Sequence, residues 1–254
     1  MYPTLLSFGG FTVYTYGFFV ALGFFAATLY VSKTAKPDII SQDSLYSLFL
    51  YAIIAAIAGA RLLYVLTNLG EFVKSPLDIF KVWHGGLVYY GGFIVAVSYV
   101  VWYTKRKKIL LSRLSDAIAP ALGLGHFFGR IGCFFAGCCY GKVCGLPWAV
   151  TFKNSDTLAL HGVPLHPVQI YEAAANLIIF IILHLYNKKE HLAGKTFALY
   201  LIIYAVLRFI LEFFRGDYRG AAFAGLSIAQ AVSAGLLIIG ITIIYRTNKK
   251  WKKK

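Results

Sequence analysis

Apolar residues gather into seven stretches of this chain, and short polar or basic segments separate them. The runs fall at residues 12–31, 45–67, 87–104, 116–135, 170–186, 195–214 and 225–245. Each approaches the ~20 residues that a helix needs to cross the hydrocarbon core of a bilayer. The fifth is the shortest and reaches that length only if His-Pro-Val-Gln-Ile-Tyr-Glu, residues 166–172, opens it. The pattern predicts an all-α integral membrane protein with seven transmembrane helices. Composition strengthens that reading: 59% of residues are hydrophobic, 14% are charged, and mean hydropathy is +0.69, too apolar for a soluble domain.

Basic residues set the expected orientation. Lys33, Lys36, Lys105, Arg106, Lys107, Lys108, Arg113, Lys188, Lys189, Lys195 and the cationic tail from Arg246 all flank one side of the runs. The other side carries only Lys74, Lys81, Lys142, Lys153, Arg215 and Arg219. By the positive-inside rule the first set faces the cytoplasm, which puts the amino terminus outside and the carboxyl terminus inside. The net charge of +15 is then a topology signal and a contact for anionic lipid headgroups, not a nucleic-acid footprint. No basic segment precedes the first run, so no cleavable signal peptide is expected. One integral domain over residues 1–254 is expected, with residues 135–170 forming a small extracytoplasmic head.

The chemically unusual residues collect on the outer side. Leu122–Gly141 reads LGLGHFFGRIGCFFAGCCYG and places Arg130 among glycines near the end of an apolar run. An arginine there is costly in lipid unless it faces a polar cavity or an anion, and adjacent glycines let backbone or a ligand come close. Guanidinium forks suit phosphate oxygens, so Arg130 and Arg215 are candidate phosphate ligands. Arg208 and Glu212, four residues apart, are expected to form a structural pair on one helix face. Glu172 is a further carboxylate within pairing reach of a span end. Among the histidines, His84, His126, His161 and His166 fall in the outer half as candidate general bases.

The chain's four cysteines read C-x4-C-C-x4-C, from Cys133 through Cys138 and Cys139 to Cys144. That spacing matches zinc sites poorly, and no metal site is assigned from it. A disulfide, inert packing, a thiol activated by Arg130 or Lys142 and, on the weakest signal, a metal all remain open.

Several segments, taken in order, resemble the prolipoprotein diacylglyceryl transferase family. They are Tyr16-Gly17, Gly59-Ala60-Arg61-Leu62-Leu63-Tyr64-Val65, Trp83–Gly92, Gly129-Arg130-Ile131-Gly132, residues 166–172, and the stretch from Arg208 to Arg215. The resemblance spans nearly the whole chain. It implies transfer of the diacylglyceryl group of phosphatidylglycerol to the lipobox cysteine of prolipoproteins, at the outer face of the bacterial inner membrane. No metal or organic cofactor is implied, and the partners are phosphatidylglycerol, the lipobox segment and the bilayer. Catalysis is assigned to Arg130, Arg215, Tyr90 and Cys138, and substrate binding to Tyr16, Arg61, His84, Arg130, His166, Gln169 and Glu172. The family signature usually runs G-R-x-G-N-F-x-N-G-E; here Cys133, Ala136 and Cys138 stand at its two asparagines and its glutamate. Tyr90 stands where the family often has histidine. Two other readings fit the residues: a diverged paralogue using Cys138 or Cys139 as nucleophile toward a different acceptor, and a non-enzymatic lipid-binding or transport protein. Against the last, the chain shows neither an internal repeat nor paired broken helices.

Overall fold

A computed structural model of the chain describes residues 2–9, 11–82, 85–217 and 226–251. Each apolar run lies on a helix: α1 (Thr15–Thr34), α2 (Gln42–Thr67), α4 (Tyr89–Arg106), α5 (Leu111–Ala136), α6 (Val168–Asn187), α7 (Lys195–Glu212) and α8 (Ile228–Trp251), with a short α3 (Leu69–Lys74) between α2 and α4. Five of these, α1, α2, α5, α6 and α8, are long and apolar enough to cross a membrane. The other two, α4 and α7, are 18 residues long and carry charge near their ends, at Lys105 and Arg106 in one and at Lys195, Arg208 and Glu212 in the other. Beside the helices, the described residues form two short strand pairs. Strand β1 (Thr4–Phe8) pairs antiparallel with β2 (Phe11–Tyr14), and β3 (Val150–Thr151) pairs antiparallel with β4 (Pro164–Leu165). Gly9 at φ +51° helps β1 reverse direction, a conformation open to residues without a Cβ.

The chain forms two compact units, Ala35–Leu114 and Met1–Thr34 with Ser115–Lys254. In the first, Ser41 caps α2 by accepting from the Ser44 backbone N–H at 3.3 Å, satisfying one of the helix's orphan donors. Helices α2 and α4 then pack backbone to backbone. A Cβ on Gly59 would lie 2.6 Å from the Gly91 carbonyl oxygen, and a Cβ on Gly91 would collide with the Gly59 carbonyl. Small residues at such a crossing are what let two helices approach without hydrophobic drive in lipid.

In the second unit, a polar knot fixes how α5, α6 and α7 meet. Pro120 lies inside α5 and has no N–H to offer the carbonyl four residues earlier. That carbonyl, on Asp116, instead accepts from Asn187 Nδ2 at the end of α6, at 2.9 Å. The Asp116 carboxylate accepts from the Gly194 and Phe197 backbone N–H groups at 2.6 and 2.9 Å, and so caps α7 from a distance. Below the knot, Ala119, Ile179, Leu183, Tyr200 and Leu201 close a core between these three helices. The segment between α5 and α6 has a small core around Phe152, Ala159 and Leu165. Large apolar side chains such as Leu50, Ile54, Ile238 and Ile241 remain exposed on the helix surfaces, as they must where lipid replaces water.

The α2–α4 approach yields a direct test. Gly91→Val should lower stability by about 1–3 kcal/mol through overpacking, read as a lower midpoint of thermal unfolding in detergent. Gly70→Ala, where an added Cβ meets nothing within 4 Å, serves as the neutral control. An unchanged midpoint for Gly91→Val would mean that the two helices do not touch at these glycines.

Candidate active site

The site of interest lies where α5 ends, where α6 begins and just past the end of α7. Gly137 terminates α5 at φ +74°, donating its N–H to the Phe134 carbonyl at 3.2 Å. The chain turns through Cys138 and Cys139, then runs as an extended segment against the residues that follow α7. The Lys142 N–H donates to the Phe214 carbonyl at 2.8 Å, and the Gly216 N–H donates to the Tyr140 carbonyl at 3.0 Å. A Cβ on Gly216 would collide with the Gly141 carbonyl, so the absence of a side chain is what admits this contact. The pairing brings Arg215 beside the cysteine turn.

Glu172, in the first turns of α6 and 3% exposed, gathers three arginines around one carboxylate. Its Oε2 lies 2.6 Å from Arg130 Nε, and its Oε1 lies 3.2 Å from Arg215 Nη1 and 3.5 Å from Arg208 Nη1. The Arg130 contact is an ion pair by proximity: Oε2 accepts no aligned hydrogen bond. The i,i+4 pair of Arg208 with Glu212 is present at 2.5 Å and forms one edge of this larger network. Glu212 in turn accepts from Ser227 Oγ at 2.8 Å. Asp217 chelates Arg215 at 2.7 and 3.0 Å. Burial alone would pull the Arg215 guanidinium down, but its hydrogen bond to Asp217, the Glu172 charge and a hydrogen bond to Cys139 hold it above its usual range.

The arginines are not equivalent. Arg215 and Arg208 side chains are 3% and 9% exposed, each shared between two or more carboxylates. Arg130 is 21% exposed and, among the described residues, pairs with no carboxylate but Glu172, through Nε. Its terminal nitrogens pair with no carboxylate among the described residues. An added Cβ at neighbouring Gly129 would meet nothing within 4 Å, whereas one at Gly132 would lie 3.1 Å from Phe19 Cβ and 3.2 Å from the Tyr16 carbonyl of α1. One glycine therefore leaves room beside Arg130, and the other lets α1 pack on α5. Behind Arg130, a cavity with about 20 Å³ of open space is bordered by His126, Glu172, Asn176, Tyr204 and Arg208. That is room for one water molecule, not for a headgroup.

The cysteine turn adds a second feature. The sulfurs of Cys133, Cys138 and Cys139 lie within 4.8 Å of one another. No disulfide joins the four cysteines, and Cys144 stands outside the cluster. Cys139 is held at φ +62°, a left-handed conformation that costs a residue with a Cβ of order 1 kcal/mol. Hydrogen bonding with Cys133, then with Cys139, and burial hold the Cys138 thiol far above its usual range. The linear spacing had hidden this arrangement, because two of its members are adjacent and meet only through the turn at Cys139.

Other expected site residues have specific places. Arg61, 7% exposed, donates Nε to the Ile79 carbonyl and its terminal nitrogens to the carbonyls of Asp78, Gly85 and Gly86, and also lies over the Tyr64 and Phe72 rings. Expected as a substrate ligand, it ties down the loop before α4 through these backbone contacts. Gln169 is fully buried and donates to the Cys138 carbonyl at 2.8 Å, which fixes the turn. Glu172 likewise holds arginines. His166 shares a 3.4 Å contact with the Tyr171 hydroxyl and stacks edge-on to Phe214. His126 faces the Tyr200 hydroxyl at 3.4 Å. Tyr16, 47% exposed, is within electrostatic reach of Cys133, Cys138 and Arg130. Tyr90, 56% exposed at the start of α4, belongs to the other unit, and His84 lies outside the described residues. Sequence reasoning missed Asp217 and Asn176. The Arg-Gly-Asp spacing was the available signal for the first, and one helical turn from Glu172 was the signal for the second, whose Nδ2 donates to the Glu172 carbonyl at 2.7 Å.

Removing Glu172 leaves buried guanidinium charge uncompensated, which costs about 3–5 kcal/mol. Glu172→Ala should therefore lower the thermal midpoint in detergent sharply, and adding Arg208→Ala should restore part of the loss by removing one unpaired charge. A single variant as stable as the parent would show that the three arginines do not depend on this carboxylate.

Comparison with known proteins agrees with this construction. A family model described as prolipoprotein diacylglyceryl transferase matches residues 3–246. A protein of Clostridium tetani named phosphatidylglycerol–prolipoprotein diacylglyceryl transferase is 38% identical over 243 residues, covering 96% of each chain. Similarly named proteins of Clostridium perfringens and Proteus mirabilis are each 35% identical, over 94% and 97% of this chain and 93% of their own lengths. A match of that extent, with the Gly-Arg-x-Gly segment seated in a buried arginine network on membrane helices, makes the chain a member of the prolipoprotein diacylglyceryl transferase family.

Proposed function

We propose that the chain transfers the diacylglyceryl group of phosphatidylglycerol to the lipobox cysteine thiol of prolipoproteins, the first step of bacterial lipoprotein maturation. The names of its relatives support the reaction. The observation that carries it physically is Arg130, anchored through Nε to a buried carboxylate with its terminal nitrogens uncommitted to any other carboxylate among the described residues.

The acceptor sulfur attacks the glycerol carbon that bears the phosphate ester. A C–S bond forms, the C–O bond breaks, and its electron pair leaves on glycerol phosphate. The phosphate then gains a negative charge, and a guanidinium already in place stabilises that charge without reorganisation. Arg130 contacts the phosphate. Arg215 and Arg208 act behind it, sharing Glu172 and so setting where the Arg130 head stands. The acceptor thiol must lose its proton first, since at a reference pKa of about 8.5 only a few per cent is thiolate at neutral pH.

All seven long helices cross the bacterial inner membrane in this reading, with the amino terminus outside, the carboxyl terminus in the cytoplasm and the arginine network toward the outer face. The distribution of lysine and arginine supports that orientation. The single membrane domain carries residues 135–170 as its outer head, where the lipobox segment approaches.

The purified chain in phosphatidylglycerol vesicles should add a diacylglyceryl group to a lipobox peptide, seen as a mass increase on the peptide cysteine. Arg130→Ala should slow this by roughly 10²–10³-fold, the usual cost of losing one preorganised charge donor. Equal rates in parent and variant would remove Arg130 from the mechanism, and no adduct from the parent would refute the reaction.

A further inference from the structure

The thiols of Cys133, Cys138 and Cys139 have no part in the phosphate chemistry, yet the fold goes to some length to assemble them. Cys133 comes from the last turns of α5, while Cys138 and Cys139 come from the turn that follows. Gly137 at φ +74° ends the helix, and Cys139 itself is held in the left-handed region at φ +62°. Buried Gln169 pins the Cys138 carbonyl at 2.8 Å. The result is three sulfurs within 4.8 Å of one another.

Inert packing does not need three thiols at one point. A disulfide would use two of them and leave the third beside it, and the adjacent pair Cys138–Cys139 is a poor candidate for a bond. Tetrahedral zinc with Zn–S bonds of ~2.3 Å sets its sulfurs ~3.8 Å apart, so side-chain rotations of under an ångström would close this cluster onto a metal. Three protein ligands and an open fourth position describe a catalytic zinc site, not a structural one. The surroundings suit its charge: three thiolates around Zn²⁺ carry a net −1. Arg130 lies within electrostatic reach of Cys133 and Cys139, and Arg215 hydrogen-bonds Cys139. Burial also differs usefully, with Cys133 buried and Cys138 and Cys139 partly open.

We propose that Cys133, Cys138 and Cys139 bind a zinc-class divalent cation whose fourth position takes the acceptor cysteine of the lipobox as a thiolate. This rests on the transferase reading above. The acceptor thiol displaces water from the cation and releases its proton to solvent, because a zinc-coordinated thiol is deprotonated outright. The bound sulfur donates its electron pair to the glycerol carbon, forming the C–S bond. The C–O bond pair departs on glycerol phosphate beside Arg130. The thioether product is neutral and binds the cation weakly, so it leaves and water returns. The charge balances: one thiolate and one phosphodiester anion become a neutral thioether and a phosphate monoester dianion. The cation thus takes the role of a general base for the acceptor, and the sequence's cysteines activate a thiol without being the nucleophile.

The experiment uses the full chain in detergent. As purified it should carry about one equivalent of zinc, and exchange with Co²⁺ should give the sulfur-to-cobalt charge-transfer band and tetrahedral visible bands. A lipobox peptide should shift the visible bands, and the same peptide with serine for cysteine should not. Cys138→Ser and Cys139→Ser should lose the metal, and Cys144→Ser should keep it. Transfer should fall roughly 30-fold on chelation, the factor set by the thiolate fraction of a free thiol at neutral pH, and return on adding zinc. Arg130→Ala should keep the cobalt spectrum while losing transfer, which separates failure of the metal site from failure of the transferase reading. If a cysteine variant does not fold, the parent's metal content and peptide-dependent spectrum decide alone. A metal-free chain that takes up no cobalt, a disulfide among these three cysteines, or full transfer after chelation would each overturn the proposal.

Discussion

One buried carboxylate organises this part of the molecule. Glu172 is 3% exposed yet meets guanidinium groups from positions 130, 208 and 215. An isolated charge would be costly to bury there, and the carboxylate and guanidinium groups offset that cost for one another. The network holds α5, α6 and the end of α7 together by charge. Arg208 and Arg215 are further neutralised by Glu212 and Asp217, whereas Arg130 has Glu172 as its one carboxylate partner among the described residues.

The rest of that unit places the ends of the helices so that this can happen. Pro120 frees the Asp116 carbonyl for Asn187, and the Asp116 carboxylate caps α7. This fixes the start of the helix that carries Arg208 and Glu212 about four to five turns later. At the opposite end, Gly141 and Gly216 allow two backbones to touch, which sets Arg215 beside the cysteines. Neither device is a strong interaction by itself. Both remove freedom from segments whose charged groups must meet within a few tenths of an ångström.

The helices were legible in the sequence because the apolar runs are long and their borders are basic, so hydropathy alone located all seven. The strands were not, since β3 and β4 are two residues each and carry no period. Arg130 was legible as a charge stranded in an apolar, glycine-rich run. Arg61 looked similar, and its guanidinium meets the carbonyls of a loop that closes on it only in three dimensions. Glu172 read as one more possible partner. Its central role depends on three residues far apart in sequence and could not be counted along the chain. The cluster of three sulfurs was hidden for a related reason: spacing rules assume residues on regular elements, and here a left-handed residue folds the third sulfur back toward the other two.

In the proposed reaction Arg130 meets the phosphate of a phospholipid while the Glu172 network holds it in place. Equilibrium binding of phosphatidylglycerol to the purified full chain, by native mass spectrometry in a detergent that preserves lipid, tests this most directly. Parent protein should retain the lipid, and Arg130→Ala should lose it while unfolding at nearly the parent temperature, because Glu172 keeps two other partners. Unchanged lipid retention in Arg130→Ala would contradict the account and move the phosphate site elsewhere in the chain.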